Sequence, residues 1–132
     1  LDRLLSIHSK VVLWDAHSIA SRVPRFFEGQ LPDLNFGTAC GASCAPGLEQ
    51  AVVGVAQAQD RFSVAVNGRF KGGYITRHFG QPGSNVHAIQ LEMAQCLYMD
   101  ETPPFAYQPA RAHDVQGLLR QMMEAAVDWV HA

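Results

Sequence analysis

The period of the apolar positions changes several times along the chain, and each change marks an element. The most regular stretch is the last. Val115, Leu118, Leu119, Met122, Met123, Ala126, Val127 and Val130 recur every three to four residues, which predicts an amphipathic helix over 113–131. A second helix is expected from Pro46 to about Gln59. Proline suits a first helical position, and Leu48, Val52, Val53, Val55 and Ala56 follow it. Leu1, Leu4, Leu5 and His8 also keep helical spacing, so residues 1–9 read as a helix tail. A chain that opens inside an element, on Leu in place of Met, raises the expectation of a further portion ahead of it.

Between these helices the pattern is that of strands. Val11-Val12-Leu13-Trp14 is a short continuous apolar run, as in a strand buried on both faces. Phe62–Val66 and Val86–Glu92 alternate, and a short strand is expected around Leu34–Phe36. Pro24, Gly29, Pro32, Gly37 and Gly41 break residues 19–45 into loop, and residues 67–80 form a glycine-containing polar loop with room for a short helix. Residues 81–85 are a turn, 93–99 a short helical turn, and 102–104 a linker. Strands separated by helices predict an α/β layered domain with a mostly parallel or mixed sheet. In such sheets ligands bind beyond the carboxyl ends of the strands.

Three strand ends carry polar groups. The first is Asp15-Ala16-His17-Ser18. Positions 15 and 17 point to one side of an extended chain, where an imidazole can hold a metal and a carboxylate can share that role or orient the ring. A strand-end Asp capping the next loop, with an incidental His, is the competing explanation. The second is the loop from Asn67 to His78, which holds Arg69, Lys71 and Arg77 around Gly72-Gly73. Glycines let backbone N–H groups approach a ligand, and arginine grips carboxylates bidentately, so an anionic small molecule fits. Phosphate fits too, although the Walker pattern is absent, and a solvated basic turn would look the same. The third is Glu92, which ends a largely apolar strand; a carboxylate there is either a general base with a raised pKa or a helix N-terminal charge. Met122, Met123 and Trp129 are core or groove-facing helix positions, and His8, His113 and His131 lie near helix ends in exposed places.

Composition narrows the classes. The chain has 132 residues, 48% of them hydrophobic, which is enough for one core. A net charge of −2 gives no bulk attraction to nucleic acid or anionic membrane, and no apolar run reaches the length of a membrane span. The first residues lack the basic-then-apolar order of a signal peptide, and the three cysteines are odd in number. Reduced thiols and a cytoplasmic protein are therefore expected. Cys40 and Cys44 lack the second ligand pair of a structural zinc site.

Four segments, in order, resemble N-formylglutamate amidohydrolase: Asp15–Ser18, Val23–Gly29, Asn67–Gly80 and Gln90–Glu92. The likeness runs from about Val11 to the end, and its long glycine-and-basic motif is the specific part. The resemblance implies an α/β/α phosphorylase/hydrolase-like sheet of zinc-carboxypeptidase type, here an incomplete portion, the C-terminal part of a single domain. It implies hydrolysis of N-formyl-L-glutamate to L-glutamate and formate, a step of histidine degradation in bacteria. It implies a divalent metal, zinc, held by two His and an acidic residue. His17 matches one of these ligands, and the other two belong to the family's N-terminal half. Glu92 matches the catalytic glutamate, and Asn67, Arg69 and Arg77 match the region that holds the substrate carboxylates. Cys40 and Ala45 depart from acidic positions of the family. The alternatives are a non-catalytic fragment or binding domain, a metallohydrolase acting on another N-acyl amino acid, and a phosphate binder at Gly72-Gly73. The pattern leaves oligomeric state open.

Overall fold

The computed structural model describes residues 1–132. The elements are α1 (Asp2–Leu5), β1 (Val11–Ile19), β2 (Leu34–Gly37), α2 (Pro46–Gln57), β3 (Val64–Val66), α3 (Tyr74–Phe79), β4 (Val86–Ala94) and α4 (Pro109–His131). Single 3-10 turns at Pro82–Ser84 and Gln95–Leu97 flank β4. The four strands form one mixed sheet in the order β1-β4-β2-β3. β1 runs parallel to β4 and β2 runs antiparallel to it, while β2 and β3 are parallel. No helix is long and apolar enough to cross a membrane.

Several boundaries differ from the sequence expectation, each for a physical reason. β1 does not stop at Trp14. It pairs with β4 residue for residue from Val11↔Val86 to Ile19↔Ala94, so Asp15 and His17 lie within the strand. The same ladder carries β4 past Glu92 to Ala94 and shortens the helical turn expected over 93–99 to the 3-10 turn Gln95–Leu97. β3 starts at Val64 because the Gln59 side-chain oxygen accepts the N–H groups of Arg61 and Phe62, both at 2.7 Å, and bends them into a turn. α4 starts at Pro109, a turn earlier than expected, and buries Ala112 in its first turn. The helical tail at the start is reduced to α1, and the glycine loop contains α3.

Strand alternation divides the sheet into two unlike faces. Leu34, Phe36, Ile89 and Leu91 point to one of them, beneath α2 and α4. There they join Leu48 and Val52 of α2 and Val115, Leu118 and Met122 of α4 in one buried cluster. Each fully buried side chain of this kind contributes roughly 1.5–3 kcal/mol by leaving water. The other face carries Asp15 and His17 of β1 and Gln90 and Glu92 of β4, and α3 lies over its end.

The glycine loop is held to the end of β2 by backbone. The Ala39 N–H donates to the Lys71 carbonyl at 2.6 Å. A Cβ on Gly37 would run into the backbone of Lys71 and Gly72, and Gly72 has φ +110°, a left-handed conformation that disfavours side chains.

Candidate active site

Register builds the site. Asp15 stands opposite Gln90 and His17 opposite Glu92 in the parallel pair, so four polar side chains share one patch of the sheet. Gly73, Tyr74 and Ile75, where the glycine loop enters α3, roof one side of this patch and complete the lining of an open pocket of about 350 Å³. The loop is anchored there because the Gly73 N–H donates to the Gln90 side-chain oxygen at 2.7 Å.

Asp15 is 8% exposed. Its Oδ1 lies 2.7 Å from Nε2 of His17, and its Oδ2 accepts the Thr76 hydroxyl at 3.3 Å. The His17 side chain is 45% exposed. With Nε2 on the carboxylate, Nδ1 is the ring nitrogen left for another partner. Glu92 is 9% exposed, and its carboxyl is raised above the ordinary carboxylate range. Burial is the main cause. The His17 charge opposes the shift and the Asp15 charge adds to it. A carboxyl so placed takes up a proton more readily than a solvated one, as a general base requires. The Asn35 amide donates to the Glu92 carbonyl at 3.1 Å, while its own oxygen is buried without a partner.

An imidazole ordered by a carboxylate, with one nitrogen open to a pocket, fits one ligand of a divalent metal. The chain does not supply a full set: no three His, Cys, Asp or Glu side chains converge where they could hold an ion. A more apolar groove of about 370 Å³ lies between β1 and α4, lined by Leu4, Val12, Trp14, Met123 and Val127 among others. It contains no carboxylate, and its titratable side chains are His8, Lys10 and His131.

The structure brings His17 and Glu92 together but places the other expected residues outside the pocket lining. Asn67 uses its amide on the loop after β2. Its oxygen accepts the N–H groups of Thr38 at 2.9 Å and Cys40 at 3.2 Å, and its nitrogen donates to the Thr38 hydroxyl at 2.9 Å. Arg69 is exposed and has no hydrogen-bonding partner in the chain. Arg77 is exposed on α3 and donates to the Gly72 carbonyl at 2.5 Å. In the departing loop, Cys40 is exposed and the Ala45 N–H donates to Nδ1 of His87 at 3.1 Å. Sequence reasoning missed Thr76, Gln90 and Asn35 as members of the site. For Gln90 and Asn35 the only signal was their place in buried strands, where a polar residue needs a partner, and Thr76, on α3, carried none.

Comparison with known proteins identifies the family and the fold. The family model for N-formylglutamate amidohydrolase matches residues 1–99. The chain is 50% identical over 129 residues to the N-formylglutamate deformylase of Pseudomonas aeruginosa and 49% identical to that of Pseudomonas putida. Each alignment covers 98% of this chain and 48% of the relative, so the chain spans about half the length of the curated relatives it matches. The crystal structure of N-formylglutamate amidohydrolase from Ralstonia eutropha JMP134 superposes with a TM-score of 0.83 at 22% identity, over 98% of this chain and 48% of that one. That likeness establishes a shared fold. The chain belongs to the N-formylglutamate amidohydrolase family.

Proposed function

We propose that this chain carries the proton-transfer half of an N-formyl-L-glutamate deformylase, in a three-layer sheet of zinc-carboxypeptidase type. The observation that carries the reading is the pairing of the Asp15-bound His17 with the buried Glu92 across one β ladder, in one pocket. His17 would supply one ligand to a divalent metal, zinc by family resemblance, through the nitrogen that Asp15 leaves free. When bound, such an ion polarises the formyl oxygen and lowers the pKa of water. Glu92 accepts the proton of the attacking water and delivers it to the departing nitrogen. A C–O bond forms at the formyl carbon, the C–N bond breaks, and formate and L-glutamate leave. Arg69 and Arg77 grip the substrate carboxylates, Arg77 from the helix whose first residues wall the pocket, and Asn67 holds the loop that presents them.

Formate release from N-formyl-L-glutamate, assayed in the protein that carries this chain, tests the reading. Glu92→Gln keeps the fold and lowers kcat by about 10³-fold, within the range of a general base. Wild-type turnover in that variant would remove Glu92 from the role. The raised Glu92 carboxyl also places the acid limb of the rate profile above the ordinary carboxylate range. A panel of other N-acyl amino acids separates the deformylase from a related amidohydrolase.

The incomplete donor set favours a second reading for residues 1–132 taken alone, that of a non-catalytic domain. Metal analysis separates the two: stoichiometric zinc on these residues by themselves overturns the second.

A further inference from the structure

One chain of polar contacts in the pocket joins two motifs far apart in sequence. It starts at Thr76 on α3, passes through Asp15 on β1 and ends at the His17 ring. We infer that Thr76 is a positioning residue, which fixes the Asp15 carboxylate so that the His17 imidazole is held in one orientation in the pocket. The inference rests on the reading of His17 as the ring that meets a bound ion, and adds the group that orders it.

Burial shows why Asp15 needs this partner. Its side chain is almost fully withdrawn from water, and its hydrogen-bonding partners are the His17 ring and the Thr76 hydroxyl. A carboxylate tied at one oxygen can rotate about its terminal bond and let the ring swing with it. Tied at both, it presents Oδ1 to the ring in a fixed plane.

Thr76 is in turn locked. It is 0% exposed. Its methyl side packs on Gly72, where an added Cβ would stand 3.0 Å from the Thr76 Cγ2. The loop that carries it is tethered to Gln90, the register partner of Asp15. The contacts therefore close a circuit from β1 to β4, up to the glycine loop, through α3 and back to Asp15. Threonine suits the position on both counts: its methyl fills the space beside Gly72, and its hydroxyl reaches the carboxylate. Serine keeps only the second feature and valine only the first.

That difference supplies the test, made on the protein that carries this chain. In the metal-free protein, NMR follows the exchange of the His17 Nε2 proton with water. In the same variants, chelator competition gives the zinc affinity. Thr76→Val speeds the exchange about fivefold, as the loss of one hydrogen bond predicts, and weakens zinc about tenfold, as loss of a partner behind a ligand does. Thr76→Ser restores both towards wild type, which a purely packing role would not allow. In an Asp15→Asn background Thr76→Val adds nothing further, because the hydroxyl acts through that carboxylate. Unchanged His17 exchange in a folded Thr76→Val protein, or additive losses with Asp15→Asn, overturns the inference. Thr76→Ala serves the same cycle if valine does not fold. A wild type that binds no zinc removes the metal reading alone, and the exchange data still decide the role of Thr76.

Discussion

β1 and β4 present two faces made from the same eighteen residues, and the two differ in everything but their backbone. On one face Ile89 and Leu91 lie under α2 and α4 in the main core, and His87 meets Trp129 edge to face at 4.8 Å. On the other, Asp15, His17, Gln90 and Glu92 line an open pocket. A parallel ladder with period two separates the core from the polar pocket without separate segments for each. The polar face tolerates a buried carboxyl because the apolar face holds the strands in place.

The largest effect expected from breaking this division is catalytic. Glu92→Gln costs about 10³-fold in turnover while leaving the fold intact. Its counterpart is Ile89→Ala, three residues away on the opposite face, which costs about 3 kcal/mol of stability as a buried cavity. Chemical denaturation of both variants checks the pair. Loss of stability in the first, or a silent second, would mean that the faces are not separate. Smaller effects belong to the loop. Arg69→Ala and Arg77→Ala each raise KM about tenfold with kcat nearly unchanged, as lost ground-state binding does; an unchanged KM in both removes the carboxylate grip.

The finest test is pH, because the two faces titrate with opposite sign. Burial, then the nearby Lys10 charge, pushes the His87 imidazole below its ordinary value. His87 thus contributes stability that is present above the usual imidazole range and lost as pH falls through its lowered value. The raised Glu92 carboxyl does the reverse: its contribution is full below the usual carboxylate range and lost as pH rises through its raised value. Melting temperatures from pH 4 to 8 should show His87→Gln flattening the acid side of the curve. Glu92→Gln should melt higher than wild type near pH 8, and this gain should vanish near pH 4. Parallel shifts in the two variants would contradict the assignment of charge to each face.

Much of this division was legible in the sequence. The spacing of Leu118, Met122 and Ala126 placed α4, and the alternation through Ala88, Gln90 and Glu92 placed the polar strand end. What could not be read was set across the sheet. The length of β1 depends on its ladder with β4, and an apolar run that ends at Trp14 carries no sign of it. The partners of Asn67 and Arg77 depend on how the glycine loop folds back, so charge and glycine content gave no sign of the contacts with Thr38, Cys40 and the Gly72 carbonyl. Thr76 has no pattern of its own; its hydroxyl acquires a role once α3 is laid over β1.

The contact between Gly37 and Gly72 sets the height of the pocket roof from behind. The loop that rests on Gly37 continues directly into Gly73, Tyr74 and Ile75. A single methyl at position 37, on a strand whose neighbour in the ladder is Gln90, would act as a shim. It would lift the roof and pull Thr76 away from Asp15, so a substitution that touches no reacting group would detune the whole site. The smallest side chain in the alphabet therefore acts here as a spacer, and its size is part of the shape of the pocket.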